Sequence, residues 1–429
     1  MSRRTGPVVL VALVLMIAAA CTSGTAGRSA APTSTTAAAH HPATTAAPAA
    51  GAGAAQGQAR VQFEQLLGQH ALIAVRLMRS VVAAEPEFRK SAAESLQENT
   101  DALSQLVTAA YGAAEGDRFT QLWQRHQGDL SNYAEAVASK DASAEKAALA
   151  ALVAGCDAYG AWVAEATKGR VRADEATRDM RRHAEALTGQ TDAYAARDYG
   201  DAYRIEREAY EHMFMTGTTL AKASLEPKAA ARLDTPPEQL RSAFAMLLGE
   251  HMELIIGAQR ATFAQPEEFQ AAAAQINANT TAMTTAMGAI LGPKKAAEFQ
   301  VGWSQHVEAL IAYGAAAARG DEAGKAAAEK QLDTLALGLA QYLSGIVQNR
   351  LRVGLLTGAI TEHDRHLLDH VDAYAARDYT KAFAMETDGF QQMRGVADTL
   401  VDAIQRTVKP GLPVGGSQTG GGGTAHRHR

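Results

Sequence analysis

Histidines at repeating positions are the side chains of this chain best suited to chemistry. Of its 13 histidines, six form three pairs spaced 180 or 181 residues apart. The pairs are His70 with His251, His126 with His306, and His183 with His363. Neutral imidazole is a ligand for transition metals as well as a hydrogen-bonding group. The spacing therefore indicates two equivalent groups of three histidines.

Longer stretches repeat at the same spacing. The octapeptide Asp192–Tyr199 returns verbatim as Asp372–Tyr379, and Trp123-x-x-His126 returns as Trp303-x-x-His306. Self-similarity at a fixed period indicates an internal duplication. We expect one copy over residues 59–230 and a second over 238–408. Thr235-Pro236-Pro237 lies between them, where consecutive prolines resist the continuation of a helix.

The pattern within each copy is helical. Alanine, leucine, glutamate, glutamine and arginine dominate, and runs of β-branched residues are few. In the first copy, helices are predicted near residues 59–83, 87–111, 116–139, 142–167, 172–196 and 199–224. Pro86 and Pro266 suit helix starts, and Asp198 and Asp378 suit N-caps. We expect an all-α fold of two tandem antiparallel bundles with about six helices each.

The two ends of the chain differ from the helical part. Arg3 and Arg4, an uncharged stretch from Pro7 to Ala20 and then Cys21 are typical of an export signal. This segment resembles a bacterial lipoprotein signal, which implies removal of residues 1–20 and lipidation of Cys21. The protein would then lie outside the cytoplasm, attached to the membrane by lipid alone, with simple secretion as the alternative. Residues 21–58 and 409–429 are predicted to be a disordered tether and a disordered Gly-rich tail.

Composition excludes several classes of partner. The chain has 429 residues, 47% of them apolar, and a formal net charge of −5, so it has no basic footprint for nucleic acid. No segment after the leader combines a long apolar run with an absence of charge, so we expect no membrane-spanning helix. Cys156 corresponds to Ala336 in the second copy, which predicts a small buried hydrophobic residue instead of a disulfide. No pattern identifies a protein partner.

The paired histidines are predicted to be buried. Helical spacing surrounds His70 and His126 with large apolar side chains, and burial keeps imidazole neutral. If the helices that carry His70, His126 and His183 meet at one level, three rings converge. The last helix of the first copy then offers His212, Met213 and Met215 as further ligands. Imidazole together with thioether favours copper, especially Cu(I), ahead of zinc and over calcium or magnesium.

The two copies differ in these further ligands. Gln392 and Gly395 stand where the first copy has His212 and Met215, so a fourth ligand is expected in the first copy only. The second copy instead adds His366 and His370 beside His363. Their four-residue spacing is one that lets two imidazoles chelate a zinc or copper ion.

Two asparagines hold equivalent interior positions, Asn99 in the first copy and Asn279 in the second. Each could orient a ligating ring from the second coordination shell. The alternative for both is a buried hydrogen bond between helices.

The same residues also resemble a family. Leu-Leu-Gly-x-His, Trp-x-x-His, the Asp-Tyr turn and Tyr210-Glu-His-Met-Phe-Met215 are similar to secreted helical modules of Gram-positive bacteria, some labelled copper amine oxidase-like. The resemblance covers residues 59–404 and implies an extracellular, all-helical module whose histidines bind copper. It does not extend to amine oxidation. Copper amine oxidases are β-rich and form a quinone from Tyr in Thr-x-x-Asn-Tyr-(Asp/Glu), whereas here Asp129 and Ala134 flank Asn132-Tyr133.

Patterns typical of enzymes are missing from the sequence. None of the paired histidines has glutamate three residues before it or four residues after it, as di-iron bundles require. No His-Glu-x-x-His, nucleophile elbow or phosphate loop occurs. We therefore predict non-enzymatic binding or buffering of copper at the cell envelope. The alternative is a structural or partner-binding envelope module whose histidines only pack the core.

Overall fold

The computed structural model of the chain describes residues 52–407. Within this range the fold is all-α, as predicted. The first half contains α1 (Ala52–Val82), α2 (Pro86–Tyr111), α3 (Ala113–Ser139), α4 (Ala142–Ala166), α5 (Ala173–Ala195) and α6 (Tyr199–Ala223). A short α7 (Pro227–Ala230) and a 3₁₀ turn (Ala231–Asp234) follow. The second half contains α8 (Pro236–Ala261), α9 (Pro266–Leu291), α10 (Pro293–Ala318), α11 (Glu322–Ile346), α12 (Val353–Ala375) and α13 (Tyr379–Thr407).

The predictions for Cys21, the leader, most of the tether and the tail fall outside the described residues. They stay predictions. Residues 52–58 of the predicted tether are helical and belong to α1, so this helix begins before the predicted residue 59.

Prolines and aspartates mark the helix starts that the sequence predicts. Pro86 and Pro266 lie in the first turns of α2 and α9, where a missing N–H costs least. The carboxylate of Asp198 accepts a hydrogen bond of 3.2 Å from the backbone N–H of Asp201. Asp378 accepts one of 3.1 Å from the N–H of Lys381, so both aspartates cap their helices. Pro236, expected between the copies, is the first residue of α8.

Each half builds an apolar core from the inward faces of its helices. Trp123 and Trp162 are fully buried in the first core, and Phe244 and Trp303 belong to the second. Each core also contains side chains from the opposite half. Phe383 of α13 packs into the first core, and residues of α6 pack into the second. Helix α6 contacts α9, α1 contacts α8 and α13 contacts α2, so the two halves pack into one compact unit.

Buried ion pairs fix the docking of the two halves. Arg76 of α1 pairs with Glu253 of α8 and with Glu386 of α13, and all three side chains are at most 4% exposed. Burial raises the pKa of the Glu253 carboxyl, and the charge of Arg76 acts in the opposite direction. Removing one partner of a buried pair strands the other charge away from water. The relative position of the halves therefore depends on these contacts.

One helix among the described residues, α4, is long and apolar enough by length and composition to cross a membrane, with a mean hydropathy of 1.5. The sequence predicts no membrane-spanning helix. In the fold α4 packs between α3 and α5 and buries Leu152 and Trp162 in the first core. A helix that fills the core of a bundle meets the same criterion. Cys156 on α4 is buried, as predicted, and desolvation raises the pKa of its thiol to about 11.

A close approach of two helices in the first half depends on a glycine. A Cβ at Gly217 of α6 would lie 2.5 Å from the backbone N and Cα of Glu64 on α1. The neighbouring Thr218 donates a hydrogen bond of 2.5 Å to the Glu64 carboxylate. Because backbone cannot move aside as a flexible side chain can, only glycine permits this contact.

Gly217→Ala should therefore destabilise the protein by about 1–3 kcal/mol, since a methyl group has no space between α1 and α6. The matched control is Gly128→Ala in α3, where nothing lies within 4 Å of the new Cβ. There alanine should stabilise the fold by about 0.5–1 kcal/mol through its higher helix propensity. Urea denaturation of both variants measures the difference. Equal changes in the free energy of unfolding for the two variants would contradict the close packing of α1 on α6.

Candidate metal centres

Three histidines of the first half meet inside the bundle: His70 on α1, His126 on α3 and His183 on α5. Their helices pack against one another in all three combinations. The ring centroids are 5.3, 5.6 and 5.8 Å apart, and one nitrogen of each ring lies within 4.8 Å of the others. We refer to these residues as the first trio.

The second half contains the same arrangement. His251 on α8, His306 on α10 and His363 on α12 form the second trio, with ring centroids 5.6, 5.8 and 5.9 Å apart. One nitrogen of each ring again lies within 4.8 Å of the others. Relative exposure of the six histidines runs from 0 to 6%. The convergence and burial that the sequence predicts are thus present in both halves.

A tryptophan forms one wall of each trio. Trp123 packs on His70, and Trp303 packs on His251, with the ring centroids 4.5 Å apart in both cases. The spacing Trp-x-x-His places indole and imidazole on one face of a helix, about one turn apart. Each tryptophan therefore covers the trio histidine of another helix and also shields the trio histidine of its own helix.

Burial keeps the six rings uncharged. Desolvation lowers the pKa of His126 to about 3 and that of His306 to about 4. The pKa values of the other four fall well below the usual range through burial first and the neighbouring rings second. Neutral imidazole offers a lone pair, which is what a metal ion requires.

Most of these ring nitrogens have no hydrogen-bond partner among the described residues. Trp123 Nε1–H donates to His70 Nδ1 at 3.2 Å, but His70 Nε2, His126 Nε2 and both nitrogens of His183 lack a partner. The second trio is similar, with both nitrogens of His251 and His363 unpaired. A buried polar atom without a partner costs about 1–3 kcal/mol. Several such atoms around one point offer a water molecule or an ion the interactions that these residues leave unmade.

The second trio borders a cavity of about 60 Å³. Trp303, His306, His363 and Met393 lie in its wall among apolar side chains. This volume exceeds the space that one water molecule needs. The second trio therefore has room for an additional ligand beside its rings.

The structure does not bring His212 and Met215 to the first trio. His212 Nε2 lies 3.0 Å from the backbone carbonyl of Asp179 and is engaged there as a donor. Met215 is 60% exposed, because its position on α6 faces solvent, while Met213 is buried in the first core. The predicted fourth ligand from His212 or Met215 must therefore be corrected.

The added histidines of the second half do not join the cluster of ring nitrogens in its trio. His370 is buried at the junction of the halves, where its Nε2 lies 4.0 Å from Glu386 Oε2 and its ring stacks on Tyr374. His366 is half-buried on α12 and lies against the Gly389 backbone of α13. These positions do not support the predicted role of His366 and His370 as metal ligands beside His363. The two residues lie one helix turn apart, and each ring contacts different neighbours.

The two asparagines form interhelical hydrogen bonds, the alternative that the sequence left open. Asn99 Nδ2 donates to the backbone carbonyl of Leu66 at 3.0 Å. Asn279 Nδ2 donates to the carbonyl of Leu247, also at 3.0 Å. Leu66 and Leu247 each precede a trio histidine by four residues, so these bonds hold the helix that carries the ring. No hydrogen bond joins either asparagine to an imidazole among the described residues.

Sequence reasoning missed Asp364. This residue follows His363 on α12, its side chain is 6% exposed, and its Oδ1 lies 3.6 Å from His306 Nδ1. Burial raises the pKa of its carboxyl to about 8. Ala184 stands at the equivalent place beside His183. A charged residue on the apolar face of a helix in one copy, with alanine in the other, was the available signal.

Comparison of the chain with protein-family models, curated proteins and solved structures finds no match. Fold and site together define an all-α protein with two buried histidine trios. Function has to be argued from these residues.

The pH dependence of stability tests the neutral state of the rings. The folded pKa of His126, about 3, lies below its unfolded value of about 6.5. Its contribution is therefore present above pH 6.5 and is lost as the pH falls toward 3. His126→Leu should flatten the stability curve of the metal-free protein below pH 6.5 by up to about 1.4 kcal/mol per pH unit.

Urea denaturation between pH 7.5 and 4.5 provides this measurement. The control is Leu130→Ala, which removes buried apolar volume from the same helix without removing a titrating group. It should lower stability by a similar amount at every pH. An unchanged slope in His126→Leu would show that folding does not lower the pKa of this ring.

Proposed function

We propose that this protein binds transition-metal ions without catalytic turnover, one in each trio, and that copper as Cu(I) suits the first trio best. The convergence of three buried imidazoles from three separate helices carries the proposal. Three atoms at most 4.8 Å apart lie within about 2.8 Å of a common point, and metal–nitrogen bonds measure about 2.0–2.1 Å. Ring movements of less than about 1 Å would complete the site.

The donor set supports a transition metal. Calcium and magnesium require oxygen ligands, whereas imidazole suits copper, zinc, iron and nickel. The three rings of the first trio carry no charge, so the charge of the ion is buried uncompensated. The free-energy cost of burying an ion rises with the square of its charge. It is therefore about one quarter as large for a monovalent ion as for a divalent ion. Cu(I) therefore fits the first trio better than Cu(II) or Zn(II).

Burial favours retention of an ion over turnover. The rings are at most 6% exposed, and a tryptophan covers each trio. A catalytic metal keeps an open position that a substrate can reach. Binding or buffering of copper thus agrees better with these surroundings than oxidation of a substrate.

Location at the cell envelope is part of the proposal. It rests on the resemblance of residues 1–21 to a lipoprotein signal, with lipidation of Cys21 and a tether before α1. Secretion after ordinary cleavage is the alternative. In both cases the trios would meet metal outside the cytoplasm.

One observation favours a second function, a structural or partner-binding module whose histidines only pack the core. Trp123 Nε1–H occupies the lone pair of His70 Nδ1. An imidazole that accepts at Nδ1 carries its proton on Nε2 when neutral, so neither nitrogen is then free for a metal. In this state His70 serves as a hydrogen-bonding core residue.

Metal titration separates the two functions. The chain without residues 1–21 should take up two Cu(I) ions, and its melting temperature should rise because the metal binds the folded state only. His126→Leu and His306→Leu should each remove one ion. His212→Leu is the control that leaves uptake at two, since His212 is engaged with Asp179. No uptake, or full uptake in both trio variants, would support the packing function.

Trp123→Phe tests whether the indole N–H of Trp123 and a metal ion compete for His70. Phenylalanine keeps the aromatic wall but removes the hydrogen bond, which is worth about 0.5–1.5 kcal/mol. Cu(I) affinity at the first trio should therefore rise by up to about tenfold. Trp303→Phe is the matched control, because Trp303 Nε1 donates to no acceptor in the second half. Titration against a chromophoric Cu(I) chelator measures the affinity of both variants. Weaker Cu(I) binding at the first trio of Trp123→Phe would show that the indole hydrogen bond does not oppose metal binding.

A further inference from the structure

The two trios differ in the charge that surrounds them. Among the described residues, Asp364 is the only one whose carboxylate lies within 4 Å of a trio ring, and that ring is His306. The equivalent residue of the first half, Ala184, has no charge to offer. Ring separations and wall tryptophans are otherwise nearly the same in both halves.

The surroundings of Asp364 leave its carboxyl oriented toward the trio. The side chain is 6% exposed, and Oδ1 has no hydrogen-bond partner among the described residues. Its distance of 3.6 Å from His306 Nδ1 is slightly longer than a hydrogen bond. A carboxylate behind a ligating histidine fixes the ring and makes it a stronger donor to the metal.

We propose that Asp364 makes the second trio a site for a divalent ion, Zn(II) or Cu(II), while the first trio holds a monovalent one. This inference rests on the metal-binding function proposed above. Burial keeps this carboxyl largely protonated in the metal-free protein, and a divalent ion bound beside it would displace the proton to solvent. The resulting carboxylate supplies one negative charge to the three neutral rings, so a divalent ion leaves a net charge of +1. Cu(I) leaves the same net charge in the first trio, where no carboxylate of the described residues lies within 4 Å of a ring.

A cavity of about 60 Å³ lies beside His306 and His363, and its accessible lining is apolar. Zinc in proteins is almost always four-coordinate, with water completing a set of three protein ligands in open sites. The second trio supplies three nitrogens, and a water in this cavity would be held by the ion alone. Cu(I) requires no fourth ligand, and three imidazoles satisfy it.

Cu(I) and Zn(II) provide the test, because both are d¹⁰ ions and differ chiefly in charge. Each site is measured in the chain without residues 1–21, with the other trio disabled by His126→Leu or His306→Leu. At the second trio Asp364→Asn keeps the shape and removes the charge, so Zn(II) affinity should fall about 10–100-fold. Cu(I) affinity there should fall less, by about 3–10-fold, because the Coulomb energy between the carboxylate and an ion of half the charge is half as large.

Ala184→Asp is the reciprocal variant and should raise Zn(II) affinity at the first trio by about tenfold. Circular dichroism establishes that each variant is folded, and Asp364→Asn decides the question if Ala184→Asp does not fold. Equal Zn(II) affinity at the two trios, or no loss in Asp364→Asn, would overturn the assignment and leave metal binding intact. Failure of the unmutated chain to bind either ion would overturn the metal-binding function itself.

Discussion

Six imidazoles gathered in two apolar cores are the constraint on which this structure depends. A buried polar atom without a partner costs free energy, and several ring nitrogens in each half lack one among the described residues. The rings of each trio come together from three helices, and the surrounding bundle holds them in that arrangement.

The rest of the fold serves to keep the three helices of each trio in register. Asn99 and Asn279 tie the helix of the first ring to its neighbour, one turn before that ring. Gly217 allows α6 to pack tightly on α1. At the junction, Arg76 pairs with two glutamates of the other half, so neither half can turn without stranding a buried charge. Small differences such as Asp364 against Ala184 can then set the electrostatics of a site without changing its geometry.

Helical periodicity and local capping chemistry were sufficient to predict much of this from the sequence. Pro86, Asp198 and the trios obey rules that act over one or two turns, and Trp-x-x-His fixes a face regardless of tertiary context. The roles given to His212, Met215 and His370 failed because they depend on how a helix rotates against its neighbours. His370 in particular faces a junction between the halves that no local pattern describes. The place of Asp364 beside His306 could not be predicted, because it depends on how the helices that carry these two residues pack together.

The ligands of bound copper test the central claim most directly. X-ray absorption of the Cu(I)-loaded protein should show three nitrogen atoms of imidazole at about 2.0 Å, with no sulfur in the first shell. This result is expected if the rings of three helices hold the ion together. A sulfur ligand at about 2.3 Å, or fewer than three imidazoles, would contradict the account.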